Sequence, residues 1–274
     1  MSYKTILAVL TPNGEAGPAP LMPTALDLAA RWQAHLTLMI MVPQITTYID
    51  GGVGYAGYVS VEDDLVGVKK ANEMKDAIDH QARSNGVTVT TMVAREAFDL
   101  NMARFVANGR LHDVILMRRD ETLAQYLVEA ALFETGRPCL MVPVARPNMV
   151  ALKKILVAWD GTLQSSRAVH EAMPLLKHAE TIEIITISGE KNLKSHCSGA
   201  DLARLLTAHD LVVTATDLPA EHKAGNMLMD YALAKDIDLL VTGAYAHSRF
   251  RQMIFGGVTS TLLAEARLPV LMAH

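Results

Sequence analysis

The run Ile237-Asp238-Leu239-Leu240-Val241-Thr242 ends on Gly243-Ala244-Tyr245-Ala246-His247-Ser248-Arg249, and nine residues after Ala246 come Gly256-Gly257-Val258-Thr259. Leu239-Leu240-Val241 is apolar on both faces of a strand, the mark of a parallel sheet covered on both sides. Small residues at a strand end, a basic loop and a glycine pair opening a helix form an arrangement that holds phosphate. The free N–H groups of Gly257, Val258 and Thr259 point outward at the helix start, and missing side chains let an anion come close. The helix so opened has Val258, Leu262, Leu263 and Ala266 as its buried face. His247, Arg249 and Arg251 put positive charge on the loop in front. The same glycines equally suit tight turns around a helix start with no ligand.

Outward from this segment, the chain is written twice. Tyr3-Lys-Thr-Ile-Leu-Ala-Val-Leu10 recurs as Leu152-Lys-Lys-Ile-Leu-Val-Ala-Trp159, and His112-Asp-Val-Ile-Leu-Met117 recurs as Ile237 to Thr242. Leu132 to Pro143 likewise matches Leu263 to Met272. Order is kept while spacing changes, so this is a duplicated domain and not a short-period solenoid. The repeats predict one domain over 1–145 and a second over 152–274, joined by a proline-containing linker at 144–151.

Each half alternates apolar strands with amphipathic helices. Strands are expected near 4–10, 36–42, 87–93, 112–117 and 138–142, with helices near 21–35, 63–84, 98–108 and 122–135. The second half has strands near 153–159, 182–187, 210–216, 237–242 and 269–273. Between Ser165 and Lys177, Ala168, Val169, Ala172, Leu175 and Leu176 share one helical face. Five strands alternating with helices predict, for each half, a doubly wound three-layer α/β/α domain on a five-stranded, mostly parallel sheet. Ligands of such sheets bind beyond the carboxyl ends of the strands, where strand order reverses.

Composition bounds the function classes. Of 274 residues, 50% are hydrophobic and 20% charged, with a net charge of −4, which gives no global attraction for nucleic acid or an anionic membrane. The longest strongly apolar run, Leu36 to Pro43, is less than half a bilayer span. The first ten residues have too short an apolar core for a signal peptide. Cys139 and Cys197 are too few for a disulfide framework, and a cytoplasmic protein is expected.

The duplicated halves, the strand start Ile155-Leu-Val-Ala-Trp-Asp160-Gly161 and the loop from Gly243 resemble the universal stress protein family in its tandem form, over nearly the whole chain. That family's nucleotide motif is Gly, two residues, Gly, nine residues, Gly, then Ser or Thr. Here Gly243 and Gly256 match, Ala246 replaces the second glycine, and Gly257 replaces the hydroxyl residue. The resemblance implies an adenine nucleotide alpha-hydrolase-like fold and a second domain that binds ATP or another adenine nucleotide. It places Gly243, Ala246, Gly256, Gly257, Val258 and Thr259 along the phosphates, and Thr242 at the strand end with His247 and Arg249 on the loop are counted with them as cofactor-binding. Asp160, preceded by Ala158 and Trp159, falls by the ribose and adenine, and Ile187 near the base. Loss of a charge-assisted hydroxyl bond at Gly257 is worth about 1.5–3 kcal/mol, roughly a tenfold to hundredfold weakening. In the first half Thr11 and Pro12 stand in place of Asp160 and Gly161, and Met117-Arg-Arg-Asp-Glu-Thr122 has no glycine. A phosphate cradle is therefore not expected there.

Other motifs carry less. Gly52-Val-Gly54-Tyr-Ala-Gly57 matches a dinucleotide pattern but follows the second strand and opens no helix, so it reads as a loop bearing Tyr48, Tyr55 and Tyr58. His196-Cys197 lacks metal-site spacing, and no metal is expected. Cys139 reads as a small core residue. His170 reads as a surface or packing histidine. Neither a P-loop nor a GxSxG elbow occurs. The leading expectation is a non-enzymatic stress-response or regulatory protein whose second half binds an adenine nucleotide. The alternatives are an interaction protein with a vestigial site, pairing through Cys139–Val142 and Val270–Ala273 or as a homodimer, and a slow nucleotide hydrolase using Asp160.

Overall fold

The structure is a computed structural model that describes residues 2–11, 21–42, 46–48, 57–59, 61–118, 124–143, 152–188, 197–244 and 257–274. The expected linker at 144–151 lies outside the described residues.

The first half runs β1 (Thr5–Leu10), α1 (Leu21–Trp32), β2 (His35–Met41), a hairpin of β3 (Thr46–Tyr48) and β4 (Gly57–Val59), then α2 (Val61–Ser84), β5 (Val89–Ala94) and α3 (Phe98–Gly109). It closes with β6 (Val114–Arg118), α4 (Ala124–Ala130) and β7 (Cys139–Val142); α4 widens at its end into a π turn, Ala131–Thr135. The second half runs β8 (Lys154–Ala158), α5 (Leu163–Leu176), β9 (Thr181–Ser188), α6 (Gly199–Thr207) and β10 (Val213–Pro219). It ends with α7 (Ala224–Ala234), β11 (Leu239–Gly243), α8 (Val258–Glu265) and β12 (Val270–Ala273).

Among the described residues, all strands but the hairpin form one ten-stranded sheet in the order β10-β9-β8-β11-β12-β7-β6-β1-β2-β5. Every pairing is parallel except one, β12 against β7, where Val270 faces Met141, Leu271 faces Leu140 and Met272 faces Cys139. Within each half the order is third, second, first, fourth, fifth, so strand order reverses between β1 and β6 and between β8 and β11. This is the doubly wound α/β arrangement. Both faces are sealed: Ile155, Val157, Leu239 and Val241 pack with Ala168, Val169 and Leu175 of α5 on one side. On the other, Leu156 and Leu240 pack with Leu228 of α7 and Leu262 of α8.

The duplication extends to the fastening of each first strand. Asp113, just before β6, accepts the backbone N–H groups of Lys4 and Thr5 through Oδ2 at 2.6 and 3.0 Å. Asp238, just before β11, does the same for Lys153 and Lys154, both at 2.9 Å. In both halves a carboxylate satisfies the orphan donors at the start of a central strand.

The antiparallel seam has a geometric consequence. It turns the second half upside down relative to the first, so the carboxyl edge of one half lies on the same rim of the sheet as the amino edge of the other. The two crevices at the strand-order reversals therefore open on opposite rims.

Candidate functional site

The second half's crevice lies between the ends of β8 and β11. Thr242 and Ala158 are register partners there, which brings Gly243 beside Trp159 and Asp160. α5 leaves β8 over one face of the sheet and α8 returns over the other, and both begin on this rim. Such a switch point, with helix amino ends on either side, is where open α/β sheets take ligands.

Three residues fix the β8 side. Asp160 Oδ1 accepts the backbone N–H of Thr162 at 3.2 Å and its hydroxyl at 2.6 Å. Thr162 is in turn the cap of α5, its Oγ1 accepting from the N–H of Ser165 at 3.3 Å. The carboxylate is thus locked into the turn that starts the helix. Trp159 is buried and donates its indole N–H to the carbonyl of Cys197 at 2.8 Å, which ties the end of β8 to the start of α6. Its side chain is a packing element. Ile187, near the end of β9, is half-buried against the same cluster as Ala158 and Val258.

Gly243 has a reason to be glycine that needs no ligand. A Cβ built there meets the backbone N of Ser165 at 2.5 Å and the carbonyl carbon of Gln164 at 2.7 Å. The short connection from β8 to α5 brings the first turn of the helix down onto the end of β11. Only a missing side chain admits it. Thr242 is buried and donates its hydroxyl to the carbonyl of Gly243 at 3.1 Å.

On the far side, Gly257 is the residue before α8, exposed, with φ of 131° and open space around its Cα. That conformation disfavours any side chain, so the backbone at this position selects glycine. Thr259 is buried in the first turn and Val258 half-buried, while Leu262 and Ala266 reach the core. The hydroxyl of Ser260 bonds back to the carbonyl of Gly257 at 3.1 Å.

The structure thus brings Ala158, Trp159, Asp160, Ile187, Thr242 and Gly243 to one rim with Gly257, Val258 and Thr259. Ala246, His247, Arg249 and Gly256 lie outside the described residues, as do Arg251 and His196. What the pattern of residues did not disclose is the ring of supporting partners, Thr162, Gln164, Ser165 and Cys197. Asp160-Gly161-Thr162 is the spacing of an aspartate turn, and Thr162 three before Ser165 is that of a cap, so a local signal existed for two of them.

The first half's crevice is built differently. Arg118 ends β6 as Gly243 ends β11, and it is fully buried. Thr11, in the place of Asp160, is buried as well. Among the described residues no group of three or more His, Cys, Asp or Glu is gathered as a metal site, and no helix is long and apolar enough to cross a membrane.

Residues 151–274 match the family model described as "Universal stress protein family". A universal stress protein of Synechocystis is 26% identical over 176 residues, covering 60% of this chain and 58% of its own length, so the chain aligns with little more than half of that relative. The crystal structure of a universal stress protein from Archaeoglobus fulgidus superimposes with a TM-score of 0.69 at 11% identity, over 97% of this chain and 95% of that one. A functionally unknown protein from Pseudomonas aeruginosa PAO1 superimposes with a TM-score of 0.59 at 16% identity, over 99% and 92%. These two likenesses concern the fold.

Proposed function

For this chain, which belongs to the universal stress protein family through its domain at residues 151–274, we propose a non-enzymatic, regulatory role in the stress response, acting in the cytoplasm. In this reading the crevice between β8 and β11 takes an adenine nucleotide as the signal. The observation that carries the reading is the convergence of Asp160, the end of β11 and the start of α8 on one rim of the strand-order reversal. Phosphates would lie at the start of α8, beside Val258 and Thr259, and the base and ribose between Asp160 and Ile187. Asp160 is engaged by Thr162 through two hydrogen bonds, which suits a positioning carboxylate better than one that activates water. This favours binding over hydrolysis.

A second reading, an interaction protein whose nucleotide site is vestigial, has a specific observation in its favour. Gly243 is accounted for by helix packing and Gly257 by its backbone conformation, with no ligand in either account.

Calorimetry with ATP, ADP and AMP separates the two, with Ser260→Asp as the site variant. An acidic residue in the first turn of a helix stabilises it, while its charge opposes phosphate at the same place. Saturable heat in the wild type, weakened at least tenfold in a variant that melts no lower, supports nucleotide binding. Absence of heat up to millimolar ligand leaves the interaction protein.

A further inference from the structure

We infer that Arg110, Arg137 and Arg167 form a seat for a polyphosphate group, built by both halves on the rim where the second crevice opens. The inference stands apart from the nucleotide reading of the crevice, because no residue of the seat belongs to it.

The three arginines are far apart in the chain and are gathered by the seam. Arg137 lies just before β7, and Cys139 faces Met272 across the antiparallel pairing. Arg137 is therefore level with the end of β12, on the rim that carries Gly243. Gly243 is itself a register partner of Ala273, so β12 alone separates it from β7. At the spacing of neighbouring strands, Gly243 and the backbone of Arg137 are roughly 10 Å apart.

Each guanidinium is held in place by main chain. Arg110 Nε donates to the carbonyl of Glu134 at 3.0 Å, a group of the π turn that ends α4. Arg137 Nη2 donates to the carbonyl of Arg110 at 3.2 Å, and Arg167 Nη2, from α5 of the other half, to the carbonyl of Gly136 at 3.4 Å. Among the described residues, none of the three forms an ion pair with a carboxylate. Three like charges collected around one turn, in a protein of net charge −4, repel one another. Each keeps further N–H donors in the fork geometry that suits phosphate oxygens. Arg110 and Arg167 are exposed and Arg137 is half-buried, so the group reaches solvent. Carbonyl anchors leave the charge of each guanidinium uncompensated, and a multiply charged anion is the ligand that compensates all three at once.

The test is calorimetry at low ionic strength with inorganic tripolyphosphate, ATP and AMP, on the wild type and on Arg110→Ala with Arg137→Ala. Tripolyphosphate is expected to bind the wild type saturably, one per chain, with an affinity that falls as salt is added. The double variant should bind at least tenfold more weakly while keeping its far-ultraviolet dichroism and cooperative melting. If ATP loses affinity in the variant and AMP does not, the seat serves the tail of a nucleotide held in the crevice. If tripolyphosphate alone loses affinity, it serves a free polyanion. Ser260→Asp keeps the two sites distinct, since it should weaken AMP and leave tripolyphosphate binding in place. No saturable heat with tripolyphosphate in the wild type, or equal affinity in the folded double variant, overturns the seat.

Discussion

Arg118 and Gly243 occupy equivalent positions, the last residues of β6 and β11, yet one is a fully buried arginine and the other has no room for a methyl group. The difference lies in the connection after each half's first strand. Residues 159–162 join β8 to α5, whereas residues 11–20 join β1 to α1. The short link brings the first turn of α5 onto the end of its neighbour strand. A buried arginine is retained in proteins when it is paired, so the end of β6 carries a long charged side chain where the end of β11 carries none.

Opposite faults should therefore follow from alanine at the two positions. Gly243→Ala overfills a contact between backbones and is expected to cost about 1–3 kcal/mol. Arg118→Ala empties a buried site and is expected to cost about 2–5 kcal/mol. Urea unfolding of each variant measures both. A neutral Gly243→Ala would contradict the packing account of this glycine.

The paired clasps Asp113 and Asp238 predict additive losses. Each carboxylate accepts two main-chain N–H groups, and each substitution by alanine is expected to cost about 1.5–3 kcal/mol. They stand on opposite rims, so the double variant should lose the sum. A double variant no worse than either single one would refute their independence.

The two thiols should differ sharply in reactivity. Cys139 is buried at the seam, where removal from water pushes its thiol well above the ordinary range, while Cys197 is exposed. A chromogenic thiol reagent is expected to titrate one group in the native protein and two in denaturant. Cys197→Ser should leave none that reacts before unfolding.

Acid should weaken the fold through His112. Its Nδ1 donates to the carbonyl of Asn108 at 2.7 Å, so the neutral ring's Nε2 accepts from the hydroxyl of Thr37 at 2.8 Å. Burial first, and the nearby His35 as well, hold its pKa below the usual 6.5, against the opposing pull of the Asn108 carbonyl and Asp113. The unfolded chain then binds a proton that the folded chain refuses. Stability contributed here is complete above pH 6.5 and falls as the pH drops from there toward the folded pKa. Urea midpoints between pH 5 and 8 should show a shallower decline for His112→Gln than for the wild type. An equal slope would exclude His112 as the cause.

Much of this architecture was legible because periodicity is a direct imprint of burial. The shared face of Ala168, Val169, Ala172, Leu175 and Leu176 marks α5, and all five are buried. The expected strand at 210–216 instead spans Val213–Pro219. Leu211 begins the apolar run, but its N–H closes the turn after α6 on the carbonyl of Leu206 at 3.3 Å, with Asp210 at φ of 64° before it. Helix closure wins over strand propensity for those three residues. The segment from Thr46 to Val59 reads as loop because glycines interrupt its alternation, yet Thr46–Tyr48 and Gly57–Val59 pair as a hairpin. The glycine-tyrosine segment between its strands lies outside the described residues. At the site, chemistry-bearing residues stood out by type, but the contact of Gly243 with Gln164 and Ser165 spans nearly eighty positions and leaves no local pattern. The gathering of Arg110, Arg137 and Arg167 was invisible for the same reason, being a product of the seam.

That seam joins two strands of a single polypeptide. Two separate chains joined along the same edge would part on dilution and could trade partners. Here neither happens, because the tether fixes the local concentration of one edge at the other. Two such halves on separate identical chains would also be bound to one shared sequence. Joined in one chain they are released from it, so β6 can end on an arginine while β11 ends on a glycine.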